Sequence, residues 1–356
     1  MTQPHIPAEF EQYLIQGEPT QRDKAANWSA AIGLQAVDGL RTSAYLQETA
    51  RYHIEGNISM DEVEHRIRQY YESQEHRDTG RNAEEADKVA TRITQLLSEQ
   101  TFTFSVPGIA SIHRRLFEGV FPHAGQFRTC NISKKEWVLD GESMLYVAWH
   151  DIERALNYDL EEEKLFDYSA LSPQQTANHI ARFVAKLWQI HPFREGNTRT
   201  ISLFAIQYLR SLGYQVDNTL FAHHSWYFRN ALVRALYRNV KKSISPKPSF
   251  LETFFQCLML GSKAPAFKNR LLHISSTEQH PHVGINVGIN VGIKHDSPEA
   301  RLLDVFRKQP RATAAQAAKI LACTPRQVER LIAALKQKGK LQRIGSKKAG
   351  QWLTTL

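Results

Sequence analysis

The sequence predicts a mainly α-helical protein with one short β-hairpin near its middle and a winged helix-turn-helix at its C-terminal end. Three observations support this class. Apolar residues recur at helical spacing through most of the 356 residues. Residues 126–139 instead contain two short runs of β-branched and aromatic residues around a polar KKE, followed by the turn pair Asp140-Gly141. The C-terminal segment, 298–356, has three helical stretches, a turn and two short apolar runs.

The N-terminal segment, residues 1–74, is predicted to be helical. Apolar residues recur at helical spacing over residues 31–54 and again over 60–71. Ser59, with a glutamate three positions later, has the capping-box pattern that starts a helix. Residues 72–85 are charged and lack periodicity, which predicts a linker or an exposed loop.

Residues 86–269 are predicted to form the largest domain. Apolar stripes of globular length predict helices over residues 86–98, 107–117, 143–158, 173–190, 198–212, 225–238 and 248–260. Ser172 and Pro173 supply a cap and a first-turn proline for the fourth of these. Residues 270–297, which contain a repeated VGIN tetrapeptide, are predicted to be a linker. In the tail, helices are predicted over 298–308, 313–321 and 325–338.

Composition excludes several classes of protein. No segment is long and apolar enough to cross a bilayer, and the N-terminus lacks the basic-then-apolar order of a signal peptide. We therefore expect a cytoplasmic location and no membrane partner. The three cysteines are far apart and outside any zinc-ligand or CxxC spacing, which predicts neither a disulfide nor a zinc site. Each cysteine is expected to be at least half-buried.

The net charge of +9 comes from the tail. Glu299–Leu356 contains 13 Lys and Arg against 3 Asp and Glu, whereas residues 1–298 contain 32 against 33. DNA is the partner that this charge favours, while contact with a protein, including a homodimer, and a merely solvated module remain open. The predicted recognition helix and wing carry Arg326, Arg330, Lys336, Lys338, Arg343, Lys347 and Lys348.

The segment 188–209 joins two predicted helices through a short loop. A proline ends the first helix just after His191, and the second helix begins near Thr198. Gly196 permits a backbone turn that a residue with a Cβ would resist. The free N–H groups of Gly196, Asn197 and Thr198 would then point outwards from a helix N-terminus, which attracts phosphate.

Three side chains beside this loop complete the parts that phosphoryl chemistry needs. Arg199, in the first helical turn, opposes the helix dipole and therefore calls for a nearby anion. Glu195 offers a hard carboxylate oxygen of the kind that holds Mg²⁺ beside phosphates. His191 can accept a proton from an attacking hydroxyl. Taken singly, each residue has an ordinary structural explanation, such as a helix cap or a surface ion pair, so the prediction rests on the set.

The set resembles the H-x-F-x-[D/E]-G-N-x-R motif of the Fic family, with the members His191, Phe193, Glu195, Gly196, Asn197 and Arg199. The resemblance extends over roughly residues 86–260. It implies a helical core that transfers AMP from ATP, with Mg²⁺, to a Ser, Thr or Tyr hydroxyl of a target protein. It further implies that His191 is the base, Glu195 the magnesium ligand and Arg199 the partner of the β and γ phosphates. Asn197 and the amides of Gly196 and Thr198 would cradle phosphate, and Phe193 would anchor the loop.

The same resemblance implies roles for two further regions. The predicted hairpin falls where the family has its flap, which pairs with the backbone of the target as an added strand. Four of its residues are therefore expected to face the target: Lys134, Lys135, Glu136 and Trp137. The adenine is expected near the helix that carries Tyr227 and Asn230.

Two positions depart from the family pattern. Thr198 stands where a second glycine is usual and adds bulk near the phosphates. Ser202 stands where a second arginine is expected, so one γ-phosphate contact and one partner for the family's inhibitory glutamate are lost.

A possible brake lies in residues 31–70, which resemble the small antitoxin domain that accompanies some Fic proteins. In that domain a glutamate in the pattern [S/T]-x-x-x-E-G blocks productive binding of ATP. Asp38 and Glu55 are the two candidates, each on an incomplete copy of the pattern. The simplest hypothesis is a retained fold with weakened inhibition, and the alternative is an ordinary packing helix.

The leading hypothesis is therefore a protein adenylyltransferase that uses ATP and Mg²⁺. One alternative is a DNA-binding regulator whose Fic core senses nucleotide with little chemistry. Another is an enzyme that removes AMP from modified proteins through the same site.

Overall fold

The computed structural model describes residues 6–73, 81–216, 218–263, 265–277 and most of 302–354. It divides into two compact units, Met1–Pro281 and His282–Leu356, and the division falls inside the predicted linker 270–297. The VGIN repeat of that linker lies outside the described residues. Within the described ranges, no helix is long and apolar enough to span a membrane.

The first unit is a helical body with one small hairpin, and the mainly helical class is confirmed. The hairpin pairs β1 (Ser133–Lys135) antiparallel with β2 (Ser143–Leu145), with Lys134 opposite Met144. The α-helices of this unit are α1 (Ala8–Gln16), α2 (Pro19–Gln35), α3 (Ala44–Ile54), α4 (Met60–Glu72), α5 (Arg81–Ser98), α6 (Val106–Phe117), α7 (Ile152–Lys164), α8 (Pro173–Ile190), α9 (Asn197–Ser211), α10 (Thr219–Leu236), α11 (Ser249–Leu260) and the short α12 (Ile274–Thr277).

Local signals place the ends of the two helices that carry the motif. The Ser172 side chain accepts from the N–H of Gln175, whose side chain bonds back to Ser172, and this confirms the predicted cap of α8. The helix ends at His191, which adopts a left-handed conformation with φ 50° and ψ 58°. Gly196, with φ 71°, then precedes α9. The motif therefore occupies a tight junction between two largely buried helices.

The N-terminal segment shares the core of the central domain instead of forming a separate layer. Helix α2 packs against both α5 and α10, and every residue from Asn27 to Gln35 is buried. Gly33 makes this contact close, because a Cβ at that position would lie 2.4 Å from the carbonyl oxygen of Ala222. The Ser225 hydroxyl also donates to the Gly33 carbonyl at 2.6 Å. The end of α2 is thereby held firmly against α10.

Several predictions for the first unit are wrong at element level. Residues 143–158 are not one helix, because the second strand of the hairpin follows the turn pair Asp140-Gly141 and α7 begins only at Ile152. Helices α1 and the first half of α2 are absent from the prediction. Because the second half of α2, from Asn27 to Gln35, is buried throughout, the apolar residues of this helix do not gather on one face. Cys130 is exposed, not half-buried.

The second unit has its own small core. Residues 302–303 and 305–307 are helical and are followed by α13 (Ala314–Ile320), α14 (Pro325–Gln337), β3 (Leu341–Ile344) and β4 (Gln351–Thr354). The two strands pair antiparallel, with Leu341 opposite Thr354. Trp352 stacks on Phe306, and its ring N–H donates to the Ala312 carbonyl. This order of elements is the one predicted, and the assignment as a winged helix stays a prediction.

The basic residues of the tail are only partly described. Arg330, Lys336 and Arg343 are exposed on α14 and β3. Lys338, Lys347 and Lys348, together with the side chain of Arg326, lie outside the described residues.

Replacing Gly33 with alanine should separate α2 from α10. Because the added Cβ meets backbone atoms of Ala222, we expect a loss of about 1–3 kcal/mol in the free energy of unfolding, measured by chemical denaturation. Thr20→Ala is the control, because Thr20 is exposed on the same helix and should change stability by less than about 0.5 kcal/mol. Equal stabilities for the two variants would show that the helices are not packed this closely.

Candidate active site

The motif residues meet around a cavity of about 490 Å³ at the junction of α8 and α9. The cavity is formed by the turn that follows α2, the start of α5, the hairpin and the motif loop. Its lining includes Asp38, Glu85, Lys134, Tyr146, His191, Glu195, Gly196, Asn197, Thr198 and Arg199. A larger cavity of about 740 Å³ lies at the opposite ends of α2 and α9 and contains none of the motif residues, so size alone would select the wrong place.

The imidazole of His191 is held in its neutral form. Its Nδ1 lies 3.3 Å from the Trp188 carbonyl oxygen, and because a carbonyl oxygen can only accept, Nδ1 carries the proton. The ring stacks on Tyr146 with 3.8 Å between centroids. Burial, and after it the charge of Lys134, lowers the pKa of His191 well below its ordinary value. The remaining nitrogen, Nε2, therefore keeps a lone pair at neutral pH.

Asn197 closes the motif loop upon itself. Its Oδ1 accepts from the Phe193 N–H at 2.9 Å, and its Nδ2 donates to the Phe193 carbonyl at 2.8 Å. The Phe193 ring is fully buried, as the anchoring role requires. The side-chain amide of Asn197 is thus used within the loop, and the group that it can offer to a ligand is its backbone N–H.

His113 supports the loop from below. Its Nδ1 accepts from the Gly125 N–H at 2.8 Å, so its Nε2 donates to the Glu195 carbonyl at 3.1 Å. The imidazole stacks on Phe193 with 3.7 Å between centroids. Burial lowers the pKa of His113 to about 4, which keeps the ring neutral and preserves this arrangement. The Glu195 carbonyl therefore points into the core, while the Glu195 side chain is exposed at the cavity.

Glycine is required at position 196 for two reasons: its backbone has a positive φ, and a side chain would collide with Phe117. A Cβ at Gly196 would lie 2.3 Å from Cζ of Phe117, whose ring forms the floor of the loop. The backbone therefore approaches the ring as closely as packing allows. The first N–H groups of α9, starting at Asn197, have no carbonyl of their own helix to bond and belong to residues that line the cavity.

Thr198 and Ser202 both turn towards the protein interior. The Thr198 hydroxyl accepts from the Trp188 ring N–H at 3.0 Å, so the bulk expected near the phosphates points into the core. The Ser202 hydroxyl donates to the Thr198 carbonyl at 2.7 Å and is fully buried. Thr198 can therefore offer only its backbone to a ligand in the cavity, and Ser202 does not line the cavity.

Arg199 is paired with residues of the N-terminal segment and of α5. Its Nη1 donates to Gln35 at 3.1 Å and its Nη2 to Glu85 at 2.7 Å, while its Nε lies 3.0 Å from Asp38 Oδ2. The guanidinium also lies over the Phe117 ring at 4.8 Å. Only 2% of the Arg199 side chain is exposed. The cation expected to bind phosphate is therefore paired with carboxylates in this conformation.

Asp38 and Glu55, the two candidate inhibitory residues, lie in different surroundings in the structure. Asp38, at the end of the short helical turn Ala36–Asp38, lines the cavity and pairs with Arg199. Glu55 lies elsewhere, where it accepts from the Tyr13 hydroxyl at 2.6 Å and from Arg51 at 3.0 Å. Of the two, Asp38 is the one that faces the motif.

The four hairpin residues have different surroundings. Lys134 lines the cavity, and its Nζ lies 3.8 Å from Asp38 Oδ1. Lys135 is exposed and stands opposite Ser143 in the hairpin. Trp137 is 46% exposed. Glu136 is buried in a bidentate ion pair with Arg229, at 2.6 and 2.9 Å, so its carboxylate is not available to a target in this conformation.

Tyr227 and Asn230 do not line the cavity. Tyr227 packs against Phe267 with 4.6 Å between ring centroids, and Asn230 donates to the side chain of Asn269 at 2.8 Å. Both residues are buried. The placement of adenine beside them finds no support in the shape of this cavity.

Sequence reasoning missed the residues that support the site from outside the motif. Arg128 is buried and donates to the carbonyls of His191, Ile190, Cys130 and Val147, which fixes the end of α8 to both ends of the hairpin. His113, Phe117, Gln35 and Glu85 were missed in the same way. They lie far from the motif along the chain. A charged or imidazole side chain within an apolar stripe, as at His113, was the available signal.

Comparison with known proteins gives evidence that is independent of the geometry of the site. Residues 103–209 match the Fic/DOC family. The matched region begins before α6 and ends within α9, so it contains the hairpin, α8 and the motif loop.

Proteins that are similar to this region carry names that state an activity. The chain is 34% identical over 112 residues to "Probable protein adenylyltransferase y4lH" of Sinorhizobium fredii, covering 31% of this chain and 54% of that protein. It is 24% identical over 194 residues to "Protein adenylyltransferase VbhT" of Bartonella schoenbuchensis, covering 51% of this chain and 39% of that protein. The matches thus span about half of each relative's length or less.

Solved structures of Fic proteins are also similar to the chain. A Fic family protein from Desulfovibrio desulfuricans matches with a TM-score of 0.44 and 12% identity, covering 98% of this chain and 91% of that one.

Replacing Gly196 with alanine should destabilise the loop between α8 and α9 through steric contact with Phe117 as well as through backbone strain. We expect the free energy of unfolding to fall by about 2–4 kcal/mol, measured by chemical denaturation. Gly56→Ala is the matched control, because Gly56 has a similar φ of 82° but open space around its Cβ position. The control should lose only the strain contribution, about 1 kcal/mol. Equal losses would mean that Phe117 does not press against the loop.

Proposed function

We propose that this protein transfers AMP from ATP to a hydroxyl side chain of a protein. One observation carries the proposal: a neutral histidine with a free Nε2 shares one cavity with the N-terminus of α9 and with Arg199. The match to the Fic/DOC family and the names of the relatives support the choice of reaction. The acceptor is a Ser, Thr or Tyr hydroxyl.

In the proposed reaction, His191 Nε2 takes the proton of the acceptor hydroxyl as its oxygen attacks the α-phosphorus of ATP. A bond forms between that oxygen and phosphorus, the bond to the bridging oxygen breaks, and pyrophosphate leaves. The Trp188 carbonyl holds Nδ1–H and stabilises the positive charge that develops on the ring. The ring stacked on Tyr146 is fixed in position before the substrate arrives.

The start of α9 is suited to hold the phosphates. The unpaired N–H groups at Asn197 and Thr198 lie at the positive end of the helix dipole, where an anion is stabilised. The loop is fixed by Asn197, His113 and Phe117, so these donors need little reorganisation as charge builds up in the transition state. Arg199 would neutralise the β and γ phosphates once it is released from its carboxylate partners.

The cavity fits Mg²⁺ that arrives with the polyphosphate. Among the described residues, no cluster of three or more His, Cys, Asp or Glu side chains could hold a metal. Glu195 offers an exposed carboxylate at the cavity, and magnesium bound with substrate phosphates commonly uses one or two carboxylates and water. When bound there, the metal would neutralise phosphate charge.

In the proposed regulation, Asp38 acts as the brake. Its carboxylate and that of Glu85 engage the guanidinium that the phosphates need. Because α2 is anchored on α10, the Asp38 turn is held in this place until a ligand or a movement of the segment displaces it. The family's inhibitory contact would here be made to Arg199, since Ser202 is buried.

Removing the base should abolish transfer without preventing binding of ATP. With Mg²⁺ and ATP labelled at the α-phosphate, we expect His191→Ala to reduce labelling of protein by at least about 100-fold. ATP affinity measured by calorimetry should change little. His179→Ala is the control, because His179 lies on the same helix, pairs with Glu163 at 2.7 Å and does not line the cavity. Equal labelling by both variants would contradict the role of His191, and release of AMP from a pre-labelled target without transfer would favour the reverse reaction.

Removing the carboxylate of Asp38 should increase transfer. We expect Asp38→Ala to raise the rate of labelling by about 5- to 150-fold, the range of typical coupling energies between sites. Glu55→Ala should leave the rate unchanged, because Glu55 is bonded to Tyr13 and Arg51 away from the cavity. If only Glu55→Ala activates, the brake works through a different conformation of the N-terminal segment.

A second candidate function, binding of a polyanion such as DNA, is favoured by the charge of the C-terminal unit. Arg330, Lys336, Lys340 and Arg343 are exposed there. We expect the protein to be retained on duplex DNA at low salt, with an affinity that falls steeply between 50 and 200 mM salt in the manner of phosphate contacts. Arg330→Ala should remove about one phosphate contact, so the slope of log affinity against log salt concentration should become shallower by about 1. Salt-independent retention, or none, would favour a protein partner.

A further inference from the structure

The carboxylate of Asp38 lies near two cations that come from different elements of the cavity lining. Its Oδ2 is 3.0 Å from Arg199 Nε on α9, and its Oδ1 is 3.8 Å from Lys134 Nζ on β1. All three side chains line the same cavity. An anion held between an arginine and a lysine is also the arrangement in which proteins bind a phosphate group.

Arg199 and Lys134 hold the Asp38 carboxylate by charge more than by aligned hydrogen bonds. Within the described residues, neither Asp38 Oδ2 nor Arg199 Nε has an aligned hydrogen-bond partner, although the two atoms are 3.0 Å apart. Lys134 Nζ, at 3.8 Å, is likewise beyond hydrogen-bond distance from Oδ1. A phosphate carries more charge and more acceptor oxygens than a carboxylate, so it can use both cations better.

The motif helix supplies only one of these cations. Ser202, one turn after Arg199, is fully buried and its hydroxyl is bonded to the Thr198 carbonyl. It therefore cannot reach a phosphate in the cavity. The second positive charge beside Asp38 comes from Lys134 of the hairpin, whose side chain is 51% exposed and has a flexible stem.

Lys134 also lies close to the reacting end of the cavity. After burial, its charge is the largest cause that lowers the pKa of His191. The ammonium is thus near the base and near the Asp38 turn at once, which is where a polyphosphate chain between His191 and Arg199 would pass. Lys135, the next residue, projects from the other face of the strand and does not line the cavity.

We infer that Lys134 is a nucleotide-binding residue, which holds a phosphate of ATP together with Arg199, and that the Asp38 carboxylate occupies the place of that phosphate. This inference rests on the proposed function. It assigns the side chain of Lys134 to the polyphosphate instead of to the target protein. Binding of the polyphosphate and binding of Asp38 then exclude each other, because both need the same two cations.

The test measures ligand binding in the absence of any target protein. Asp38→Ala is the parent, and ATP, AMP and inorganic tripolyphosphate are titrated with Mg²⁺ by calorimetry. We expect Lys134→Ala in this parent to weaken ATP and tripolyphosphate about 10- to 100-fold, and AMP less than about twofold. Lys134→Arg should retain most of the affinity, and Lys135→Ala should retain all of it.

Each outcome decides a different claim. ATP affinity unchanged by Lys134→Ala, with a raised KM for a target protein, would overturn the inference and return Lys134 to target contact. Failure of the Asp38→Ala parent to bind ATP or tripolyphosphate at all would instead overturn the proposed function, and the inference with it. Thermal unfolding of each variant checks the fold, and the Lys134→Arg result separates loss of charge from damage to the hairpin.

Discussion

The structure of this site depends on the contacts of Arg199 with the N-terminal segment and with the start of α5. A cation in the first turn of a helix opposes the helix dipole, and burial of its guanidinium removes the water that would otherwise stabilise it. Asp38, Gln35 and Glu85 supply the compensation, and the Phe117 ring supports the guanidinium from below. All three polar partners precede residues 103–209, so the region that matches the Fic/DOC family does not by itself supply every contact of Arg199.

This dependence explains why the N-terminal helices belong to the central core. Helix α2 has to reach the motif with its C-terminal end, and its close contact with α10 at Gly33 fixes that end. The proposed inhibition by Asp38, which packing would maintain and a phosphate would relieve, needs both features. The packing sets where the Asp38 turn lies, and in the proposed regulation the imperfect geometry of its ion pairs would allow a phosphate to compete.

The hairpin links the same site to the surface. Glu136 secures it to α10 through Arg229, and Arg128 secures both of its ends to the C-terminal end of α8. Lys134 lies between these anchors and faces the cavity, while Trp137 and Lys135 face outwards. A short hairpin can therefore present one face to a nucleotide and the other to a partner, because successive side chains of a strand point in opposite directions.

The sequence by itself determined the mainly helical class, the loop between α8 and α9, and the residue types for phosphate chemistry. Those features are local: a cap at Ser172, a glycine at 196 and a histidine beside a proline act over a few residues. Only the tertiary structure decided that Asp38 and not Glu55 faces Arg199, that Thr198 turns its hydroxyl to Trp188, and that Glu136 is buried. These outcomes depend on contacts between residues far apart in the chain, such as α2 against α10. Helical periodicity cannot reveal them, because the second half of α2, from Asn27 to Gln35, is buried throughout and has no polar face to show which neighbour it meets.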